Sequence, residues 1–149
     1  MGTQFDTRRY LTDFDATRTG HVLTDVLVSG SCVAGARAAI EAAAAGPVIL
    51  LCKGAFPESA TRYAQGGIAV AGDQPGDIDL HYNDTLRVGC GLCDPVAVRT
   101  LVEQGPPRIA ELLDWGMQLD RANGVLELAR EGGHSVSRVI HAHGDQTGL

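Results

Sequence analysis

The sequence predicts an α/β fold with a parallel sheet, and three consecutive stretches support this class. Apolar residues from Val26 to Val28 are typical of a buried strand. After a turn at Gly30, the small-residue segment Val33 to Ala45 has the composition of a helix, which a Gly-Pro pair should end. A second apolar run, Val48 to Leu51, follows. This order of strand, turn, helix and strand is that of a Rossmann-like dinucleotide-binding unit.

The turn before the predicted helix carries an altered glycine fingerprint. A dinucleotide turn has the pattern Gly-x-Gly-x-x-Gly. The residues at these positions are Gly30, Ser31, Cys32, Val33, Ala34 and Gly35. The unpaired amides of a helix N-terminus would face a pyrophosphate here, and we expect the Cβ and sulfur of Cys32 to crowd it. The altered motif alone fits an ordinary strand-to-helix turn nearly as well.

Length and composition indicate one globular domain with a core of its own. Of the 149 residues, 44% are hydrophobic and 20% are charged, and no apolar run has the length that crosses a bilayer. The formal net charge of -6 argues against nucleic-acid binding, because phosphate contacts need clustered lysines and arginines. Small-molecule chemistry is therefore expected.

Residues 1–24 are predicted to be a flexible leader, and residues 25–149 the folded part. The leader mixes acidic and basic residues and lacks the apolar stretch of a secretory signal, which favours a cytoplasmic location. Cys90 and Cys93 form a C-x-x-C that suits a redox pair or half of a zinc site. Without a second pair, we favour two free thiols and expect no metal site.

The segment after the second strand carries polar groups that suit a cofactor. Lys53 stands where an NAD-binding unit usually has Asp or Glu, and is either a surface lysine or a contact to the adenosine side of a dinucleotide. The loop beyond it contains Ala60, Thr61, Arg62, Tyr63, Ala64, Gln65, Gly66 and Gly67. Its glycines expose backbone amides beside side-chain donors and acceptors, an arrangement able to wrap a polar ring system. The residues alone leave this open, since an ordinary surface loop is also rich in glycine.

The pattern beyond this loop predicts helices that serve as scaffold. One helix begins near Asp77, and a second begins at Pro95 with Asp94 as its N-cap. Gly105-Pro106-Pro107 should interrupt the second helix, and a further helix should end near Trp115.

Four motifs occur in the same order in one known family. They are DVLVSGSCVAG, RYAQGGIAV, HYNDTLRVGCGLCD and REGGHSVSRVIHAHGDQTG. From about Asp25 to its last residue, the chain resembles the N-terminal part of the L-aspartate oxidases, within the flavoprotein family of succinate dehydrogenase and fumarate reductase. The resemblance implies a Rossmann-like FAD-binding domain that is incomplete at its C-terminus, with the capping and C-terminal helical domains absent.

The resemblance also implies which segments contact FAD. Gly30 to Gly35 match the turn that holds the pyrophosphate, Lys53 matches the lysine after the second strand, and Ala60 to Gly67 match the loop against the isoalloxazine ring. Ala60 stands where the dehydrogenase and reductase branch has a histidine joined to the flavin, so FAD should be bound noncovalently.

The same resemblance assigns Glu131 to the substrate. Glu131 matches the glutamate that meets the substrate's ammonium group, and His134 and Arg138 are expected to support its loop. The implied reaction is the oxidation of L-aspartate to iminoaspartate in NAD biosynthesis, with oxygen or fumarate as electron acceptor and quinolinate synthase as a downstream partner. The arginines that hold the substrate carboxylates would lie beyond Leu149, so we expect the chain to be inactive alone.

Three other interpretations stay open. In the first, the chain is a fragment of a succinate dehydrogenase or fumarate reductase flavoprotein. In the second it is a non-catalytic nucleotide-binding module, and in the third a C-x-x-C redox protein. Ala60 and Glu131 argue against the first interpretation. A protein that takes up no FAD would favour the second, and reversible redox cycling of Cys90 and Cys93 would favour the third.

Overall fold

The fold alternates short strands with helices in the computed structural model, which describes residue 15 and residues 17–148. In chain order, the elements are β1 (Val26–Ser29), α1 (Val33–Ala43), β2 (Val48–Leu51), β3 (Ile68–Ala69), α2 (Asp77–Val88), α3 (Pro95–Asp114), β4 (Arg121–Ala122), β5 (Val125–Leu126) and β6 (Val139–Ile140). The predicted α/β class is confirmed. Most of the predicted leader, residues 1–14 and 16, lies outside the described residues. Within the described residues, no helix is long and apolar enough to cross a membrane.

β1 and β2 form the parallel pair that the sequence predicts. The register runs from Val26 opposite Val48 to Ser29 opposite Leu51. Parallel strands need a crossover connection, and α1 supplies it. Leu27 is 62% exposed, although parallel sheets are normally covered on both faces.

The ends of two helices follow the sequence closely. α1 ends at Ala43, two residues earlier than predicted, because Ala44 and Ala45 turn more tightly and donate to carbonyls three residues back at 3.3 and 2.9 Å. The predicted N-cap of α3 is confirmed, since Oδ1 of Asp94 accepts from the amide of Val96 at 2.8 Å.

The predicted interruption at Gly105-Pro106-Pro107 is wrong, because α3 runs through it as one helix of 20 residues. Each internal proline removes an intrahelical hydrogen bond and crowds the preceding turn. Burial on both sides of the prolines offsets this cost. Val98 and Val102 are buried before them, and Ile109 and Leu113 pack against the core after them.

The core lies where β6 meets the C-terminal end of α3. Leu119, Ile140 and Ala142 form its buried centre. β3 pairs antiparallel with β6, placing Ile68 opposite Ile140. Since β3 directly follows the predicted flavin loop, the core fixes the C-terminal end of that loop.

Asn123 and Gly124 form a tight turn between two short strands. These residues connect β4 to β5 with φ angles of 52° and 82°, the left-handed conformation that two-residue hairpins need.

Candidate functional site

The turn between β1 and α1 has the close packing that its glycines allow. Gly30 has a φ of 109°, which strongly favours glycine. A Cβ on Gly35 would lie only 1.9 Å from the carbonyl oxygen of Gly30, so the first turn of α1 packs directly on the end of β1. Cys32 is the N-cap, and its side chain makes no capping hydrogen bond. The amides at the start of α1 are therefore not capped by their own N-cap residue.

The predicted flavin loop contacts this turn. The amide of Val33 donates to Oγ1 of Thr61 across 2.9 Å. Backbone hydrogen bonding from Thr61, and then from Ala60, lowers the pKa of the Cys32 thiol. The start of α1 and the loop thus together favour a negative charge at this place, as a phosphate site must.

Two adjoining cavities lie along the loop. The first has a volume of about 470 Å³ and is lined in part by Ser31 and Thr61. The second, of about 380 Å³, is lined in part by Gln65 and Asp145. Arg62 borders both cavities. The turn and the glutamine of the loop therefore face neighbouring cavities that share one wall.

Only some of the remaining predicted cofactor residues line these cavities. Neither cavity is lined by Gly30, Cys32, Ala34, Gly35, Ala60, Gly66 or Gly67. Tyr63 and Ala64 line the second cavity, and Val33 lines the first. Lys53 follows β2, is exposed and lines neither cavity. The structure thus brings the turn and the loop together, and the end of β2 that precedes Lys53 contacts the turn, since the amide of Gly30 donates to the carbonyl of Leu51 at 2.8 Å.

The segment from Asp145 to Gly148 closes against the loop, and the sequence analysis did not assign it to the site. The amide of Gly66 donates to Oδ1 of Asp145, and the amide of Gly148 donates to the carbonyl of Ala64 at 3.2 Å. A Cβ on Gly148 would lie 2.0 Å from the carbonyl oxygen of Thr61. The signal for this segment in the sequence was the GDQTG motif, with its two glycines and its aspartate.

Phe56, Pro57 and Ser59 also line the first cavity and were missed. They lie in a stretch without periodicity, so only their nearness to the loop along the chain pointed to them.

Glu131 lies apart from these cavities and reaches the loop through a histidine. Its Oε1 is 3.3 Å from Nε2 of His141. The same imidazole packs against Gly67, where a Cβ would lie 2.7 Å from Nε2. One side chain therefore separates the predicted substrate residue from the end of the predicted flavin loop.

A buried ion-pair network ties the loop that carries Glu131 to α2. Arg138 is 1% exposed and donates through Nη2 to Oδ1 of Asp77 at 2.7 Å and through Nη1 to Oδ2 of Asp84 at 2.8 Å. Asp84 also accepts from the amide and the hydroxyl of Ser135 at 2.7 and 2.5 Å. Each oxygen of the Asp84 carboxylate thus has a donor, as a buried charge requires.

These contacts hold both aspartates in the charged form. The hydroxyl of Ser135, its amide and Arg138 keep the pKa of Asp84 well below its usual range despite burial. Burial would raise the pKa of Asp77, but the amide of Gly72 and Arg138 outweigh it and lower the pKa. The network therefore holds a guanidinium between two carboxylates.

Arg138 was expected from the sequence to support this loop, whereas Asp77 and Asp84 were not. Their signal is spacing, since Asp77, His81 and Asp84 recur at i, i+4 and i+7 and share one face of α2. His81 is a packed histidine, with its ring centroid 5.7 Å from that of His134. Burial, followed by the charge of Arg138, lowers the pKa of His81.

Acid should destabilise the protein through Asp84. Since folding lowers the pKa of Asp84, its contribution is complete above the ordinary aspartate pKa of about 3.9 and is lost as the pH falls below it. We expect the free energy of unfolding to fall between about pH 4 and 2, and to fall less steeply in Asp84→Asn. Urea unfolding across this range measures both slopes. The control Asp79→Asn, an exposed position on the same helix, should keep the wild-type slope; a wild-type slope in Asp84→Asn would contradict the assignment.

Comparison with known proteins decides the family. Residues 25–148 match the family described as FAD binding domain. The chain belongs to this family. FAD is accordingly the cofactor of this FAD-binding domain, as the sequence analysis predicted.

Several L-aspartate oxidases are similar in sequence to this FAD-binding domain. The enzyme of Neisseria meningitidis serogroup B is 43% identical over 124 residues, covering 83% of this chain and 24% of the relative. The enzyme of Mycobacterium tuberculosis H37Rv is 48% identical over 128 residues, with the same coverage. The chain thus spans about a quarter of the length of these relatives.

Solved structures show the same fold. The Mycobacterium smegmatis Sdh1 complex in its apo form matches with a TM-score of 0.77 and 34% identity, covering 84% of this chain and 22% of that one. An E. coli quinol fumarate reductase matches with a TM-score of 0.77 and 31% identity, with the same coverage. The predicted relation to the succinate dehydrogenase and fumarate reductase flavoproteins is confirmed.

The residues at the turn fit a dinucleotide phosphate. Gly30 and Gly35 give the close strand-to-helix packing, and the amides around Cys32 stabilise negative charge. Cys32 itself has φ and ψ of -69° and 171°, an extended conformation that any residue adopts, so its presence does not strain the turn.

Proposed function

We propose that residues 25–148 are the N-terminal part of an FAD-binding domain that serves the oxidation of L-aspartate to iminoaspartate. The observation that carries this proposal is the 2.9 Å hydrogen bond between the amide of Val33 and Oγ1 of Thr61. It joins the helix N-terminus to the loop of residues 60–67, so that one dinucleotide can contact both. The identity of 43% and 48% to two L-aspartate oxidases supports the substrate.

The residues of this chain bind and orient. When bound, FAD supplies the two-electron acceptor for oxidation of the carbon–nitrogen bond of the substrate. The amides at the start of α1 hold phosphate oxygens, and Gly66 and Gly67 allow the loop to approach a flat ring. The carboxylate of Glu131 attracts the substrate's ammonium group, more strongly once water is excluded. Ala60 offers only a methyl group, so the flavin is held noncovalently.

The wider role follows from this assignment. Oxygen or fumarate is the electron acceptor, the reaction belongs to NAD biosynthesis in the cytoplasm, and quinolinate synthase consumes the product. Because the chain spans about a quarter of the relatives, we expect it to lack turnover alone.

A succinate dehydrogenase or fumarate reductase flavoprotein is the second candidate. The TM-scores of 0.77 to two such structures favour it. Their identities of 34% and 31% are lower than those to the L-aspartate oxidases, and Ala60 does not suit a covalent flavin. The first candidate therefore stands ahead.

Uptake of FAD tests the proposed function. The purified protein should shift the visible absorbance of added FAD, and acid precipitation should leave all of the flavin in the supernatant. Flavin that remains in the pellet would contradict noncovalent binding. An absorbance spectrum of added FAD that does not change would instead favour a non-catalytic module.

Replacement of Cys32 by glycine should raise the affinity for FAD. The variant removes the Cβ and sulfur at the turn where the phosphate is proposed to bind, and it leaves the backbone amides of Thr61 and Ala60 without the Cys32 side chain as a partner. Fluorescence titration with FAD should give about a tenfold tighter complex, in line with a charged hydrogen bond gained. Cys90→Gly is the control at an exposed thiol outside the site. Equal affinities for FAD in wild type and Cys32→Gly would count against the expectation that Cys32 crowds the pyrophosphate.

A further inference from the structure

We propose that His141 is a positioning residue that holds Glu131 for a substrate bearing an ammonium group. This inference rests on the proposed function, because it takes Glu131 as the ammonium contact. It assigns to His141 the discrimination between an amino dicarboxylate and a plain dicarboxylate.

His141 is held firmly by the backbone around it. It directly follows β6, whose residues Val139 and Ile140 are buried in the core. Its carbonyl oxygen accepts from the amide of Asp120 at 2.9 Å. The backbone that carries the imidazole is therefore anchored at the end of β6.

The imidazole ring is also confined. A Cβ on Gly67 would lie 2.7 Å from Nε2 and 3.0 Å from Cε1 of His141, so the ring edge occupies the space that a side chain would fill. This contact directs Nε2 along the end of the flavin loop. An imidazole whose edge is held by Gly67 in this way can position a more flexible partner.

Glu131 needs such a support. Its side chain is 53% exposed and stands next to two glycines in a loop. The network around Asp84 fixes the backbone of this loop at Ser135 but does not reach the Glu131 carboxylate. A free glutamate of this kind loses rotamer freedom when it binds a ligand, and a preformed contact reduces that loss.

The contact leaves the carboxylate able to bind a cation. Nε2 of His141 lies 3.3 Å from Oε1 of Glu131, and this contact fixes one oxygen of the carboxylate. The second oxygen, Oε2, remains to accept from an ammonium group.

Binding of L-aspartate and succinate separates this role from a structural one. We expect His141→Phe to weaken L-aspartate about tenfold and succinate less than about twofold, because only L-aspartate uses the oriented carboxylate. His141→Gln keeps a donor and should restore most of the affinity. His143→Asn is the matched control and should match wild type, since His143 is exposed and its left-handed φ of 49° suits asparagine.

Titrations of flavin-free protein, followed in ¹H–¹⁵N spectra, measure both affinities without turnover. Long-range ¹⁵N spectra of the imidazoles should show His141 with its proton on Nε2, and this preference should weaken in Glu131→Gln. An equal loss of both ligands in His141→Phe, or a proton on Nδ1, would overturn the inference.

The variant Glu131→Gln separates a failure of the proposed ammonium contact from a failure of the role of His141. If Glu131→Gln leaves the ratio of L-aspartate to succinate affinity unchanged, the proposed ammonium contact fails and the role of His141 fails with it. Since Glu131 is the proposed substrate contact of this chain, a wild type that binds no L-aspartate would also overturn the ammonium contact. If Glu131→Gln lowers the ratio and His141→Phe does not, only the role of His141 is wrong.

Discussion

Replacement of Arg138 by methionine is expected to lower the free energy of unfolding by about 3–5 kcal/mol. Methionine fills much of the same volume but leaves Asp77 without its guanidinium partner and Asp84 with only the exposed Arg87 as a cation. Removing one partner of a buried ion pair is costly because the other charge stays desolvated. Urea unfolding, monitored by circular dichroism at neutral pH, measures the change.

The matched control is Arg108→Met on α3. Arg108 forms an ion pair with Glu111 at 3.2 Å, and its side chain is half exposed. Solvent screens such a pair, so the control should lose less than about 1 kcal/mol. If Arg138→Met loses no more stability than Arg108→Met, the buried network is not a determinant of stability.

Gly35→Ala should destabilise the protein, although helix propensity alone predicts the opposite sign. Alanine is favoured over glycine inside a helix by about 1 kcal/mol. The added Cβ, however, would lie 1.9 Å from the carbonyl oxygen of Gly30, which is backbone and cannot move away cheaply. We expect a net loss of about 2–3 kcal/mol and the loss of FAD binding, because α1 must shift away from β1.

Gly105→Ala provides the comparison within a second helix. A Cβ on Gly105 would meet Cγ2 of Val70 at 3.6 Å, an ordinary van der Waals distance. This variant should therefore be neutral or more stable by up to about 1 kcal/mol. Thermal unfolding of Gly35→Ala and Gly105→Ala tests the contact between Gly35 and Gly30. A change in stability of the same sign in both variants would refute it.

The local patterns of the sequence predict the first half of the fold well. Apolar runs, small-residue composition and a glycine turn specify β1, α1 and β2, because each is set by neighbours in the chain. α3 shows the limit of such rules. The local signal of Pro106 and Pro107 predicts a break, but packing of residues distant in sequence holds the helix together.

The candidate site divides in the same way. The turn and the loop were predicted from motifs, and the structure places Val33 against Thr61. Arg138 was expected to support the loop of Glu131, but the carboxylates that hold this loop were not predicted, since Asp84 and Ser135 are 51 residues apart and meet only through the tertiary fold. Spacing shows which face of α2 carries Asp84, but not what that face meets.

The most direct test of the account is a map of the amides that FAD perturbs, recorded by ¹H–¹⁵N spectra during titration. The account predicts that amides of Ser31 to Gly35 and of Ala60 to Gly67 shift together and saturate at the same FAD concentration. Shifts confined to one segment, or saturation at two different concentrations, would contradict a single site. So would shifts centred on the apolar cavity of about 480 Å³ that Val70 and Ile109 line.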